Sequence, residues 1–313
     1  MKIGFLFPGQ GAQSIGMGKD LFENYEIYRN VYKKVQEITG INVENITFNE
    51  TEETLAQTKN TQICILTMSL AILEVLKKEE IKAEISMGLS LGEYSALIYS
   101  GAISFEDGVK IVQKRGKIMQ EKCPQGNWSM AAIMGLEAEK ISKICNSITT
   151  SFVSPVNYNC PGQIVISGEK NGIDKAMEIA KQEGAKKVVE LKTSGPFHTK
   201  ILKQASEELK KELESIEISN FKTKVIKNID GKLYKDNDNV KEILTQHIIN
   251  PVRFDEGIKT MLNMGIDTFV EIGPGKTLSG FVKRTSKEVN ILNINSVDTL
   301  KNTINFTKKE RNV

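Results

Sequence analysis

The segment Gly88-Leu-Ser-Leu-Gly92 fits the pattern G-x-S-x-G. Residues 82–87 before it predict a strand, and residues 93–99 after it predict a helix. A strand, a sharp turn and a helix in this order are what a nucleophile elbow requires, because the two glycines let the backbone turn tightly and leave the serine hydroxyl exposed. Ser90 is therefore a candidate nucleophile. The alternative is an ordinary strand-to-helix turn in which the serine caps the helix.

A serine nucleophile needs a base, and the chain contains only two histidines, His198 and His247. Both follow Ser90 in sequence, as the base does in α/β hydrolases. His198 ends the segment Ser194-Gly-Pro-Phe-His198, in which a rigid Gly-Pro corner could deliver the ring to a site. His247 lies inside a helical pattern, which is typical of a packing or surface role. The residues favour His198 as the base and leave His247 open.

The rest of the chain predicts an α/β fold with an insertion. Strand-like and helical runs alternate as β-α-β-β-α-β after Cys123, the pattern of a small ferredoxin-like α+β unit. We expect a large α/β domain made of residues 1–123 and 196–313, interrupted by a small ferredoxin-like domain of residues 124–195. Within the second part of the large domain, the pattern predicts a helix over 198–216 and a frayed tail over 307–313.

Composition excludes several classes of function. The 313 residues carry 42 Lys+Arg against 39 Asp+Glu, a net charge of +3, so the chain is not expected to bind nucleic acid. The cysteines show no metal-ligand spacing, and neither a metal nor another cofactor is expected. The apolar stretch from Ile63 to Leu76 contains too many polar residues for a membrane span, and the N-terminus has no signal-peptide pattern. These features predict a cytoplasmic protein without a membrane partner.

Two further segments carry candidate binding groups. Phe7-Pro-Gly-Gln-Gly-Ala-Gln13 follows the first predicted strand, and its glycines permit a close backbone approach to a ligand, with Gln10 as a possible donor to an oxyanion. Ser14 occupies the place of the third glycine of a dinucleotide fingerprint, which argues against a Rossmann site. The sequence Gly275-Lys-Thr277 lacks the earlier glycine of a phosphate loop. Arg115 lies on an amphipathic helix and by spacing alone is an ordinary surface arginine.

Eight motifs in the same order give the chain a resemblance to the malonyl-CoA:acyl carrier protein transacylase family of type II fatty acid synthesis. The resemblance covers nearly the whole chain and implies a hydrolase-like domain with a ferredoxin-like insertion. The motifs are Phe7–Gln13, Asn60–Gln62, Gly88–Glu93, Arg115-Gly116 with Met119-Gln120, Asn157–Gly168, Gly195–His198, Asn250–Arg253 and Glu271–Lys276.

The resemblance implies a serine–histidine dyad. Ser90 is the expected nucleophile and His198 the expected base. A main-chain carbonyl orients the histidine in this family, and the matching position here is His247, whose carbonyl rather than ring is the expected partner. The backbone N–H groups of Gln10 and Leu91 are expected to form the oxyanion hole.

The resemblance also implies a pocket for the acyl group. Arg115 is expected to bind the malonyl carboxylate, and Gln62 and Asn159 to line the pocket. Phe197 is typical of malonyl-selective members. The family usually has a histidine before the serine, whereas this chain has Leu89, which we expect to point away from the reacting groups.

The implied function is transfer of a malonyl group from malonyl-CoA to the phosphopantetheine thiol of acyl carrier protein, through a malonyl-serine intermediate. With no feature of the sequence that indicates an oligomer, a monomer is the default expectation. Three alternatives stay open: a discrete acyltransferase of a polyketide assembly line, a serine thioesterase or esterase, and a non-catalytic carrier-binding protein. Acyl carrier proteins are acidic, and four lysines give the insertion a basic character, although an ordinary solvated surface would look the same. These lysines are Lys181, Lys186, Lys187 and Lys192.

Overall fold

The computed structural model describes residues 1–191 and 195–311, which form two five-stranded sheets surrounded by helices. The strands are β1 (Ile3–Phe7), β2 (Ile85–Gly88), β3 (Trp128–Met134), β4 (Val153–Cys160), β5 (Gln163–Glu169), β6 (Lys187–Glu190), β7 (Lys224–Val225), β8 (Val252–Arg253), β9 (Thr268–Ile272) and β10 (Asn290–Ile294). The helices are α1 (Lys19–Asn24), α2 (Glu26–Thr39), α3 (Val43–Phe48), α4 (Glu52–Ala56), α5 (Thr58–Lys78), α6 (Gly92–Tyr99), α7 (Phe105–Glu121), α8 (Ala138–Ser147), α9 (Lys170–Gln182), α10 (Lys203–Glu214), α11 (Val240–His247), α12 (Phe254–Asn263), α13 (Thr277–Thr285) and α14 (Val297–Arg311).

The first sheet is parallel, with the strand order β10-β9-β1-β2-β7. Its central strand β1 is buried at all five positions, as expected for a strand covered by helices on both faces. Phe7, the last residue of β1, pairs with Gly88, the last residue of β2. The loop after β1, which carries Gln10, and the turn after β2, which carries Ser90, therefore leave the sheet side by side. Ligands of open α/β sheets bind at this carboxyl edge.

The second sheet has the order β6-β3-β5-β4-β8. Its strands β3 to β6 are antiparallel neighbours and alternate with α8 and α9 in the β-α-β-β-α-β succession of a ferredoxin-like unit. Strand β8 comes from much later in the chain and pairs in parallel with β4, where Asn157 faces Val252. The two sheets confirm the predicted mixed α/β class.

Helix α5 forms the centre of the larger core. Its 21 residues are long and apolar enough to cross a membrane by length and composition alone, but 83% of that apolar window is buried inside the protein. The helix packs against α7 and α2, and residues such as Ile63, Leu66 and Ile72 are fully buried. Packing in the core thus accounts for the apolar character of α5.

Several predicted boundaries were wrong. The helix expected over 198–216 begins only at Lys203, after a short 3₁₀ turn, because His198 has a left-handed backbone with φ of 61° that a helix cannot contain. The tail expected to be frayed continues α14 as far as Arg311, with the buried Thr307 side chain packed inward; residues 312 and 313 lie outside the described part. The short helices α3 and α4 were not predicted, because one or two turns show too little periodicity.

The turn after β2 generates a stability prediction. A Cβ added at Gly88 would overlap the backbone of Gly92, whereas nothing lies within 4 Å of a Cβ added at Gly280 in α13. We expect Gly88→Ala to lower the free energy of unfolding by more than about 2 kcal/mol. The matched control Gly280→Ala should instead raise it by about 0.5–1 kcal/mol, because alanine restricts the unfolded chain and favours helix. Urea denaturation measures both, and equal effects would contradict the close approach seen here.

Candidate active site

Ser90 occupies a strained turn between β2 and α6. Its φ is 52°, a left-handed value that few residues other than glycine adopt. The turn fits because the chain approaches itself closely: the α-carbon of Gly88 lies against the backbone of Gly92, and that of Gly92 lies against the carbonyl of Phe7. Neither position has room for a side chain. The geometry is that of a nucleophile elbow, with the serine at the top of a parallel sheet.

His198 lies beside Ser90 although 108 residues separate them in sequence. Its Nε2 atom is 2.8 Å from Ser90 Oγ, and its Nδ1 atom is 2.9 Å from the carbonyl oxygen of His247. A carbonyl only accepts hydrogen bonds, so Nδ1 must carry the proton in neutral His198. Nε2 is then free to accept the proton of the serine hydroxyl. The structure thus brings together the expected serine, ring and carbonyl.

Burial keeps the His198 ring neutral. The side chain is only 4% exposed, and desolvation lowers the pKa of His198 well below its ordinary value of 6.5. The neighbouring His247 and the cationic Arg115 lower this pKa further, against the opposing hydrogen bond to the His247 carbonyl. At neutral pH the ring is therefore unprotonated and able to act as a base.

Arg115 is buried at the wall of the same cavity, contrary to the surface position that its spacing suggested. Its exposure is 1%, and its guanidinium donates hydrogen bonds to Ser90 Oγ at 3.1 Å and to Gln62 Oε1 at 2.7 Å. No carboxylate among the described residues lies within 4.0 Å of it. Burial lowers the pKa of Arg115, yet arginine remains charged at any physiological pH. A buried cation with no carboxylate partner is able to bind an anionic ligand.

The cavity gathers nearly all of the residues predicted for the site. Those with atoms in its wall are Gln10, Gln62, Ser90, Arg115, Asn159, Phe197 and His198. The Oδ1 atom of Asn159 is buried and has no hydrogen-bond partner among the described residues, so it can accept a hydrogen bond from a ligand. Leu89 is also among the residues that line the cavity, and it packs against a cluster of buried apolar residues.

The backbone N–H groups of Gln10 and Leu91 belong to the two chain segments that leave the sheet edge beside Ser90. Within the described ranges, neither Gln10 N–H nor Leu91 N–H donates to a protein acceptor. Gln10 follows β1 and Leu91 immediately follows Ser90, at the start of α6, so the pairing of β1 with β2 brings them to one edge. Free donors next to a nucleophile are what an oxyanion hole requires.

Comparison with known proteins supports one assignment. Residues 4–311 match a family model described as the acyl transferase domain. A malonyl CoA-acyl carrier protein transacylase of Bacillus subtilis is 40% identical over 99% of this chain and 98% of that protein. The chain belongs to the malonyl-CoA:acyl carrier protein transacylase family.

Solved structures agree with the family assignment. The crystal structure of a malonyl CoA-acyl carrier protein transacylase from Clostridium perfringens is 46% identical, covers 99% of this chain and 98% of its own, and superimposes with a TM-score of 0.94. A malonyl-transacylase in complex with its type II PKS acyl-carrier protein is 33% identical and also reaches 0.94, with 97% and 99% of the two chains covered. The predicted family and fold are confirmed.

A buried polar group that the sequence did not indicate lies behind the site. Glu93 is completely buried; its Oε1 accepts a hydrogen bond from the Tyr234 hydroxyl at 2.7 Å, and its Oε2 lies 2.9 Å from Nδ1 of His247. The His247 ring also stacks on His198, with 5.0 Å between the ring centres. In the sequence, Glu93 stood out only as the last residue of the motif Gly88–Glu93. The motif did not indicate that its carboxylate contacts Tyr234 and His247. Asn228, which contacts the Ser90 backbone, was missed as well.

The neutral state of His198 predicts the pH dependence of Ser90 reactivity. The folded pKa of the ring lies below 6.5, so the base form is lost only when the pH falls through that lower value. The rate at which a small sulfonyl fluoride modifies Ser90 should therefore stay nearly constant from about pH 8 to pH 6. A ring with the ordinary pKa would lose about fourfold over this range. Mass spectrometry measures the rate, and a fourfold fall would show that the ring is not desolvated. His198→Ala should react slowly throughout.

Proposed function

We propose that this protein transfers the malonyl group of malonyl-CoA to the phosphopantetheine thiol of acyl carrier protein, for fatty acid synthesis. One observation carries the proposal: a neutral imidazole and a buried guanidinium converge on the same hydroxyl oxygen, at 2.8 Å and 3.1 Å. The imidazole makes the serine nucleophilic, and the guanidinium provides a cation for an acyl group that ends in a carboxylate. The names of the relatives support the same activity.

In the first half-reaction, Ser90 Oγ attacks the thioester carbonyl and His198 Nε2 takes the hydroxyl proton. The N–H groups of Gln10 and Leu91 stabilise the resulting oxyanion. As the carbonyl re-forms, the C–S bond breaks, and the imidazolium returns its proton to the departing thiolate of coenzyme A. The hydrogen bond from Nδ1 to the His247 carbonyl stabilises the transient charge on the ring. The product is a malonyl ester of Ser90.

In the second half-reaction the same groups act on the carrier protein. His198 takes the proton of the phosphopantetheine thiol, and the sulfur attacks the serine ester through a second oxyanion in the same hole. The C–O bond to Ser90 breaks, and His198 returns the proton to the serine oxygen. The cavity holds the thiol close to the ester, which favours it over water as the acceptor.

Arg115 provides the selectivity for malonyl in this scheme. A guanidinium can bind a carboxylate through two parallel hydrogen bonds, and Gln62 fixes the orientation of the group by accepting from one of its nitrogens. Because the same guanidinium also reaches Ser90 Oγ, a carboxylate bound to Arg115 lies one short acyl chain from the nucleophile. Phe197 and Leu89 limit the space for substituents on that chain.

The carrier protein is expected to dock near the small sheet. Lys181, Lys186 and Lys187 are exposed on or beside α9 and β6, where they suit an acidic partner, while Lys192 lies outside the described residues.

We propose that residues 1–123 and 196–313 form the large domain and residues 124–195 the small domain. We also propose that the protein is cytoplasmic and monomeric.

A polyketide system is the second candidate. A malonyl-transacylase that superimposes with a TM-score of 0.94 was solved with a type II PKS acyl-carrier protein, so the same fold serves that pathway in a relative. The two candidates share the chemistry and differ only in the carrier. Transfer rates to purified fatty acid and polyketide carrier proteins distinguish them, and release of malonate without any thiol acceptor would instead indicate a thioesterase.

The covalent intermediate provides the direct test of the proposal. Incubation with malonyl-CoA should add one malonyl group to the intact protein, and Ser90→Ala should remain unmodified because it lacks the oxygen that forms the ester. Intact-protein mass spectrometry measures the adduct. Ser215→Ala is a matched control, since Ser215 is an exposed serine whose hydroxyl donates to the Glu212 carbonyl, and it should acquire the adduct normally. An adduct that persists in Ser90→Ala would refute the assignment.

The carboxylate receptor gives a second test. Arg115→Ala should lower the rate of malonyl transfer by about 100-fold or more, because two charge-assisted hydrogen bonds are lost, while transfer of acetyl should be affected much less. Arg29→Ala serves as the control; Arg29 donates to the carbonyls of Phe22 and Glu23, outside the cavity. Steady-state rates with malonyl-CoA and acetyl-CoA measure both. Equal losses for the two substrates would contradict the role in carboxylate binding.

A further inference from the structure

Asn228 lies behind the turn that carries Ser90 and is not among the residues in the cavity wall. We propose that Asn228 is a positioning residue, whose carboxamide holds this turn in its left-handed conformation and so directs Ser90 Oγ at His198 and Arg115. The inference rests on the proposed function, because it assigns the residue a part in forming the malonyl-serine.

The Asn228 carboxamide connects the two ends of the turn. Its Oδ1 accepts a hydrogen bond from Ser90 N–H at 2.8 Å, and its Nδ2 donates to the Gly88 carbonyl at 2.7 Å. The side chain is 1% exposed, so both bonds form away from water. One planar amide thus satisfies a backbone donor and a backbone acceptor on either side of Leu89. Both an acceptor and a donor are needed, which asparagine has and aspartate at neutral pH does not.

Asn228 itself is held by its surroundings. Its carbonyl accepts a hydrogen bond from Arg253 N–H at 2.7 Å, and its own N–H donates to Glu93 Oε1 at 3.4 Å. The preceding residue, Lys227, is nearly buried and forms ion pairs with Asp238 at 2.9 Å and Asp230 at 3.4 Å. The loop that presents the carboxamide is therefore rigid, which a positioning group requires.

The strain at Ser90 explains why such a group is needed. A left-handed serine is unfavourable by about 1 kcal/mol or more, and a conformation of this kind persists only where the surroundings impose it. Without the carboxamide, Ser90 N–H and the Gly88 carbonyl would be buried without partners, and the turn could relax toward an ordinary backbone. The short contacts from Ser90 Oγ to His198 and Arg115 depend on that turn.

The test compares Asn228→Ala and N228D with the unmodified protein, using the single-turnover rate of malonyl-serine formation from malonyl-CoA at pH 8. We expect both variants to lower the maximal rate by about 10- to 100-fold, as loss of groups that orient reacting residues does. The half-saturating concentration of malonyl-CoA should change little, because the carboxylate is bound by Arg115. A structural defect without a positioning role would lower the amount of active protein without changing the rate of the active fraction.

N228D adds a readout that depends on pH. The carboxyl group of this variant has the shape of the amide, and when protonated it can again donate to the Gly88 carbonyl while accepting from Ser90 N–H. Glu93 is the ionisable group next to it, itself in contact with Tyr234 and His247, and Lys227 precedes it. The rate of N228D relative to the unmodified protein should therefore rise several-fold from pH 8 to pH 6, whereas that of Asn228→Ala should stay constant.

Asn295→Ala is the matched control. The amide of Asn295 also donates to a backbone carbonyl, that of Gly275 at 3.0 Å, but this bond is not part of the turn that carries Ser90. It should keep the normal rate. A normal maximal rate in Asn228→Ala would overturn the positioning role. If the unmodified protein forms no malonyl-serine, the proposed function fails instead, so the two failures are distinguishable.

Discussion

The structure of this site depends on one constraint, the left-handed backbone of Ser90 at the end of β2. The conformation raises the hydroxyl above the carboxyl edge of the parallel sheet, where the loop after β1 and the start of α6 also lie. Two close backbone approaches make it possible, from Gly88 to Gly92 and from Gly92 to Phe7, and both exclude any side chain. The strain is confined to one residue, whereas the groups around it come from three separate parts of the chain: Phe7, the segment Gly88–Gly92 and Asn228.

Electrostatics link the two residues that meet at the serine oxygen. Burial disfavours charge on both, but only the imidazole can release its proton, since arginine remains protonated under any physiological condition. The fixed cation of Arg115 adds to the desolvation that keeps His198 neutral. A base and an anion receptor can therefore occupy one cavity, and the receptor helps to keep the base in its active form. A carboxylate ligand on Arg115 would partly cancel that effect and so favour proton uptake by His198 during the reaction.

The second sheet completes the cavity. Asn159 and Val165, on β4 and β5, belong to its lining. Strand β8 pairs with β4 and leads into α12, so the later part of the chain is joined to the small sheet by backbone hydrogen bonds as well as by packing. The distance between the polar groups of the small sheet and the nucleophile is thereby fixed by main-chain structure, which is more rigid than contacts between surface side chains.

Local sequence alone determined the elements whose causes lie within a few residues: the elbow at Ser90, the β-α-β-β-α-β order of the small sheet, and most of the longer helices. The residues themselves favoured His198 as the base, and the motif resemblance added its carbonyl partner at position 247 and the role of Arg115. Only the tertiary structure decided the burial of Arg115, the left-handed His198 that delays α10, and the contacts of Glu93 and Asn228. Each depends on residues more than twenty positions away or on a backbone conformation set by packing, and neither periodicity nor spacing along one chain contains that information.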